Sequence, residues 1–117
     1  IIWKGLAITQ FPVPTDLAHE YAYCADREGK FSEFASFAFV NGDNLTEDTL
    51  KEINKSIGLK EKTVQECLDS GMAKTHNQKN TMLATFLNIQ SVPTIFFNNK
   101  QINPPNDLAG WQAVLGL

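Results

Sequence analysis

Apolar positions open the chain as a strand-type run broken at Lys4 and Gly5, then recur at helical spacing, and near the end return to a short strand-type run. Ile1-Ile2-Trp3-Lys4-Gly5-Leu6-Ala7-Ile8 reads as a strand from its first residue, with no polar lead, cap or turn before it. Domains ordinarily begin with a few loose residues, so such an opening is expected of a chain truncated at its N-terminus. Phe11-Pro12-Val13-Pro14 then predicts an extended connection, because a residue before proline is pushed out of the right-handed helical region.

The helical periods follow. Thr15 or Asp16 caps a first helix with Leu17, Tyr21, Cys24 and Ala25 as its apolar stripe, and Gly29 offers a left-handed stop. Phe31, Phe34, Ala35, Ala38 and Phe39 repeat at three and four, which predicts a second helix. After the turn cluster Asn41-Gly42-Asp43-Asn44, Thr46 caps a third with Leu50, Ile53 and Ile57 as its buried edge and Glu47 and Asp48 in its first turn. Gly58 closes it. A shorter helix carries Val64, Cys67 and Leu68 inward and ends at Ser70-Gly71, and a longer one runs from Met72 to about Leu87. Thr94 to Phe97 then reads as a strand, Asn98-Asn99-Lys100 as a tight turn that tolerates positive φ, and Gln101-Ile102 as the return. Asp107 caps a last helix with Leu108, Trp111, Val114 and Leu115. The order is strand, helical block, hairpin, helix, which predicts an α/β or α+β fold with a small mixed sheet.

Composition narrows the function classes. With 117 residues, 43% of them hydrophobic, the chain supports one core of ordinary size and one domain. The net charge of −3 is spread without a block of either sign, which argues against a nucleic-acid or anionic-membrane surface as the main partner. No stretch approaches the roughly 18 apolar residues of a membrane span, and Lys4 and Gly5 break the opening run too early for a secretory signal. No glycine-rich phosphate loop appears.

The candidate chemistry is sparse. His19 and His76 fall in different helices with no third ligand nearby in sequence, so they read as helix histidines rather than a metal site. Glu47, Asp48 and Glu52 read as a solvated helix face, and Trp3 and Trp111 as core and groove-lining aromatics. Thiol exchange needs a thiolate of lowered pKa, usually at a helix N-terminus, with a resolving cysteine close by. Cys24 and Cys67 meet neither condition, being far apart in sequence and well inside predicted helices. Two structural readings stand for them, two buried free thiols or one bridge. Pro93 opens an apolar β-branched and aromatic run, where a strand tolerates the missing N–H, and by itself this admits either a trans or a cis Val92–Pro93 bond.

The order of elements, together with Cys24-Ala25-Asp26-Arg27-Glu28-Gly29-Lys30-Phe31, Gly58-Leu59, Glu66-Cys67-Leu68-Asp69-Ser70 and Ser91-Val92-Pro93-Thr94-Ile95-Phe96-Phe97-Asn98-Asn99-Lys100, resembles the DsbA-type branch of the thioredoxin superfamily over essentially the whole chain. The resemblance implies a thioredoxin-like fold with residues 1–13 as strand and connection, 14–88 as a helical insert, and 89–117 as a cis-proline hairpin with the C-terminal helix. It makes Ser91, Val92, Pro93 and Thr94 the cis-proline loop that lines a substrate groove. The family's Cys-x-x-Cys motif is absent from these residues, so the chain would hold no catalytic residue and would be inactive alone. The resemblance also implies export and, with it, a structural Cys24–Cys67 disulfide, as many members carry a similar second cysteine pair. Such a bridge would contribute about 4 kcal/mol in the chain-entropy relation. The implied activity is protein-disulfide oxidation or isomerisation on cysteine-containing substrates, with a redox partner protein, no cofactor, and neither nucleic acid nor membrane insertion. Two alternatives share the fold: a kappa-type glutathione-dependent transferase or isomerase, in which a serine replaces the cysteine pair, and a redox-inactive peptide-binding module. An opening strand without a central neighbour would leave its backbone unpaired, so one of three outcomes is expected: upstream residues outside these 117, self-association in which a second copy supplies pairing by strand exchange, or a shift of Ile1–Ile8 to pair with Thr94–Phe97.

Overall fold

The structure, a computed structural model, describes residues 1–10 and 12–117. These divide into two compact units, Ile1–Leu83 and Ala84–Leu117.

The first unit is helical. It contains α1 (Asp16–Arg27), α2 (Phe31–Val40), a single 3-10 turn at Gly42–Asn44, α3 (Glu47–Ser56), α4 (Glu61–Asp69) and most of α5 (Met72–Phe86). Helix α1 is the centre of this unit: it packs against α2, α3 and α4 and buries Ala18, Tyr21, Cys24 and Ala25. Against them pack Phe34 of α2, Leu50, Ile53 and Ile57 of and just beyond α3, Val64 of α4 and Ala73 of α5. The spacing of 50, 53 and 57 puts three apolar groups on one helical stripe. Burying one such side chain contributes roughly 1.5–3 kcal/mol, so this cluster outweighs any cap or surface ion pair.

The helix ends follow local chemistry. Thr46 takes extended dihedrals and its hydroxyl accepts a hydrogen bond from the Thr49 amide at 3.4 Å, starting α3. Thr15 precedes α1 without a side-chain cap; its amide instead donates to the Thr9 carbonyl at 3.1 Å. Gly58 closes α3 in the left-handed region at φ 80°, and the Leu59 amide turns back to the Asn54 carbonyl at 2.9 Å. Asn88 does the same for α5 at φ 54°, with the Ile89 amide on the Ala84 carbonyl.

The second unit holds β1 (Ile95–Phe97), β2 (Lys100–Ile102) and α6 (Leu108–Leu115). The strands pair antiparallel with Ile95 opposite Ile102, Phe96 opposite Gln101 and Phe97 opposite Lys100. Between them Asn98 and Asn99 both take positive φ, 48° and 63°, as a two-residue turn matched to strand twist requires. The Asp107 carboxylate accepts from the Gly110 amide at 2.8 Å and starts α6.

Two expectations are corrected. The predicted opening strand is not formed: residues 1–10 carry no secondary structure, and among the described residues the sheet is the two-stranded antiparallel hairpin and not a mixed one. A strand exists only with a ladder partner, and residues 5–7 instead lie against helices. The Gly5 carbonyl accepts from Asn80 Nδ2 of α5 at 3.2 Å, and the His19 ring of α1 sits directly over Gly5. Trp3 is not core: it is 62% exposed, its ring 6.3 Å from that of Phe31. The connection read from Phe11 to Pro14 begins at Phe11, which lies outside the described residues.

Candidate functional site

The loop from Asn88 to Thr94 is held at both ends by local hydrogen bonds. At its start Gln90 Nε2 donates to Asn88 Oδ1 at 2.6 Å. At its end the Thr94 hydroxyl donates to the Ser91 carbonyl, closing a turn across Val92 and Pro93. The Val92–Pro93 peptide bond is cis. Ser91, Val92 and Pro93 are exposed, Val92 at 50%, and Thr94 is half-buried. The four residues singled out in the sequence are therefore one short loop leading directly into β1.

Strand β1 pairs with β2 along one side, and among the described residues its other edge has no strand neighbour. Phe96 of β1 and Val92 of the loop are both exposed apolar side chains.

Cys24 and Cys67 form a disulfide that ties α1 to α4, with Cα atoms 5.9 Å apart. They are the chain's two cysteines, so no free thiol remains. Cys24 is fully enclosed, whereas Cys67 is partly exposed.

The two histidines lie apart. His19 is held below its ordinary pKa chiefly by burial, against which a hydrogen bond to the Leu6 backbone and the Asp16 charge act weakly. The His76 ring stacks at a tilt on Tyr23, centroids 4.8 Å apart. No group of three or more His, Cys, Asp or Glu side chains among the described residues is arranged to hold a metal ion. None of the helices among them is long and apolar enough to cross a membrane.

Two polar residues of the first unit escaped the sequence reading. Asn54 shares the inward face of α3 with Leu50, Ile53 and Ile57 and is 3% exposed. Its side-chain amide has no hydrogen-bond partner among the described residues. The available signal was its position, four residues after Leu50 on an otherwise apolar stripe. Asn80, also buried, was missed in the same way and is the residue that anchors Gly5.

A model of the family described as Thioredoxin matches residues 6–116. No curated protein and no solved structure gives a significant match. The match spans both units, the helical block and the hairpin with its helix, and it is compatible with a redox function, as is the disulfide. With its mostly helical content and small two-stranded antiparallel sheet, the chain belongs to the thioredoxin family.

Proposed function

We propose that this chain supplies the substrate-binding part of a DsbA-type protein-disulfide oxidoreductase or isomerase. The observation that carries this reading is the exposed Ser91-Val92-Pro93 segment, closed by the Thr94 hydroxyl on the Ser91 carbonyl and running directly into β1. A substrate segment docked there in extended form hydrogen-bonds to the backbone before Pro93, a form of β-augmentation, while Val92 and Pro93 pack against the attacked sulfur. Main-chain pairing suits an enzyme that must accept many sequences, since it reads the backbone and leaves selection to the reacting cysteine. The exchanging thiols come from a Cys-x-x-Cys segment that these 117 residues do not contain, and Cys24 and Cys67 are engaged with each other. The partners are then cysteine-containing proteins and a redox partner protein, in an exported, oxidising compartment where a structural disulfide persists.

The test combines two measurements on the chain. Titration with an extended peptide containing an S-methylated cysteine is expected to shift the backbone amides of residues 91–97 saturably, and Val92→Asp is expected to abolish the shift. Insulin reduction is expected to stay at the level of a Cys24→Ala/Cys67→Ala control. Turnover that disappears on Cys24→Ala, or peptide shifts that spare residues 91–97, would refute the assignment.

A further inference from the structure

We propose that Asn41-Gly42 is a hydrolytic modification site which the folded chain holds closed, and that deamidation there takes place once the end of α2 has opened and then keeps it open. It is the one asparagine in the sequence followed by glycine. In such a pair no side chain shields the glycine nitrogen, which is the nucleophile of the reaction. That nitrogen gives up its proton and attacks Asn41 Cγ; the new C–N bond forms, the Cγ–Nδ2 bond breaks, and Nδ2 leaves as ammonia, carrying the proton away. Water then opens the five-membered imide. Addition at Cγ leaves aspartate, and addition at the main-chain carbonyl of residue 41 leaves isoaspartate, with the chain rerouted through the side chain.

The fold blocks the first step in two ways. Asn41 sits at φ −104° and ψ 22°, which turns the Gly42 nitrogen to the far side of the Cα–C bond from Cβ, whereas ring closure needs the two nearly eclipsed. The leaving group is also held, since Asn41 Nδ2 donates to the Phe37 carbonyl at 2.8 Å. The Asn41 amide bonds back to the carbonyls of Phe37 and Ala38, both at 3.2 Å, and the Asn41 carbonyl accepts from the Asn44 amide at 2.8 Å. Turning ψ therefore breaks the 3-10 turn Gly42–Asn44 together with the helix end. Glycine is not needed here for the fold: residue 42 lies outside the left-handed region, and an added Cβ meets open space. The product does not fit where asparagine did. A carboxylate cannot donate to the Phe37 carbonyl, and it adds charge at the negative end of α2, whose last turn holds no basic side chain and which Asp43 follows. Isoaspartate lengthens the main chain and displaces the bond from Asn44. This site is independent of the Ser91–Thr94 loop.

The experiment incubates the 117-residue chain at neutral pH, either folded in buffer or unfolded in guanidinium with reductant, and follows conversion of residue 41 by peptide mapping and mass spectrometry. Conversion is expected to be at least about tenfold faster in the unfolded chain. Gly42→Ala is expected to keep the fold by circular dichroism and to slow the unfolded-state conversion by at least about tenfold, a rate that is read whether or not the variant folds. Converted chains returned to native, oxidising buffer, and Asn41→Asp as the product made directly, are expected to exchange the Asn44 amide hydrogen faster than wild type. Equal conversion in the folded and unfolded chains, unfolded-state conversion that Gly42→Ala leaves unchanged, or Asn44 exchange that is the same in converted chains and in Asn41→Asp as in wild type would overturn the proposal.

Discussion

Removing both halves of the α1–α4 bridge by Cys24→Ala/Cys67→Ala should cost about 4 kcal/mol of stability. The cysteines are separated by 43 positions, and closing a loop of that length restricts the unfolded chain by about 13 cal/mol/K, or about 4 kcal/mol at room temperature. The loop encloses α2, α3 and most of α4, so nearly all of the first unit's core outside α1 lies inside it. Packing loss adds little, since Cys24 is small and its neighbours Tyr21, Ala25 and Val64 remain. Ordinary domains are stable by only about 5–15 kcal/mol, so the change should lower the melting temperature by roughly 15–30 °C. The assay is urea unfolding followed by the helical circular-dichroism signal, with and without reductant. Wild type in reductant should fall to the level of the double variant, which should itself not respond, and the urea dependence should steepen as the unfolded chain expands. A loss below about 1 kcal/mol would refute the entropic reasoning. Two titratable thiols in the native protein would refute the bridge itself.

Other outcomes follow from close contacts and burial. Gly5→Ala places a Cβ 2.5 Å from His19 Nδ1, so it should displace the ring and cost roughly 1–3 kcal/mol in denaturant unfolding, where an exposed glycine would cost nothing. His19 is depressed below its unfolded value of 6.5 by burial; its contribution to stability is present above that pH and is lost as pH falls through the folded pKa. Stability measured downward from pH 7 should therefore decline, and His19→Gln should flatten that part of the profile; an unchanged slope would remove His19 as its source. Gly110→Ala normally gains helix propensity, yet here the new Cβ lies 2.7 Å from the Pro105 Cβ, so hydrogen exchange of the α6 amides should accelerate rather than slow.

The helical block was legible because its information is local. Leu50, Ile53 and Ile57 repeat at helical spacing, Thr46 caps, and Gly58 ends the helix, and all five act through neighbours within a few residues. The hairpin was legible for the same reason, since Asn98-Asn99 is one of the few pairs that tolerates two positive φ values in succession. Thr94 closing on Ser91 is likewise a contact across three residues.

What the chain alone left open depends on partners distant in sequence. Ile1–Ile8 has strand-like residues, but a strand is defined by a ladder neighbour, and this segment meets His19 and Asn80 instead. Whether Cys24 and Cys67 were free or joined was decided by α1 and α4 packing with their Cα atoms 5.9 Å apart, a distance no periodicity encodes. Asn54 illustrates the same division. Its place on the apolar stripe is a property of sequence, while its burial without a partner among the described residues exists only once the helices are packed around it. Sequence determines which groups share a face; only packing determines what each face meets, because burial and hydrogen bonding are properties of pairs brought together by the fold.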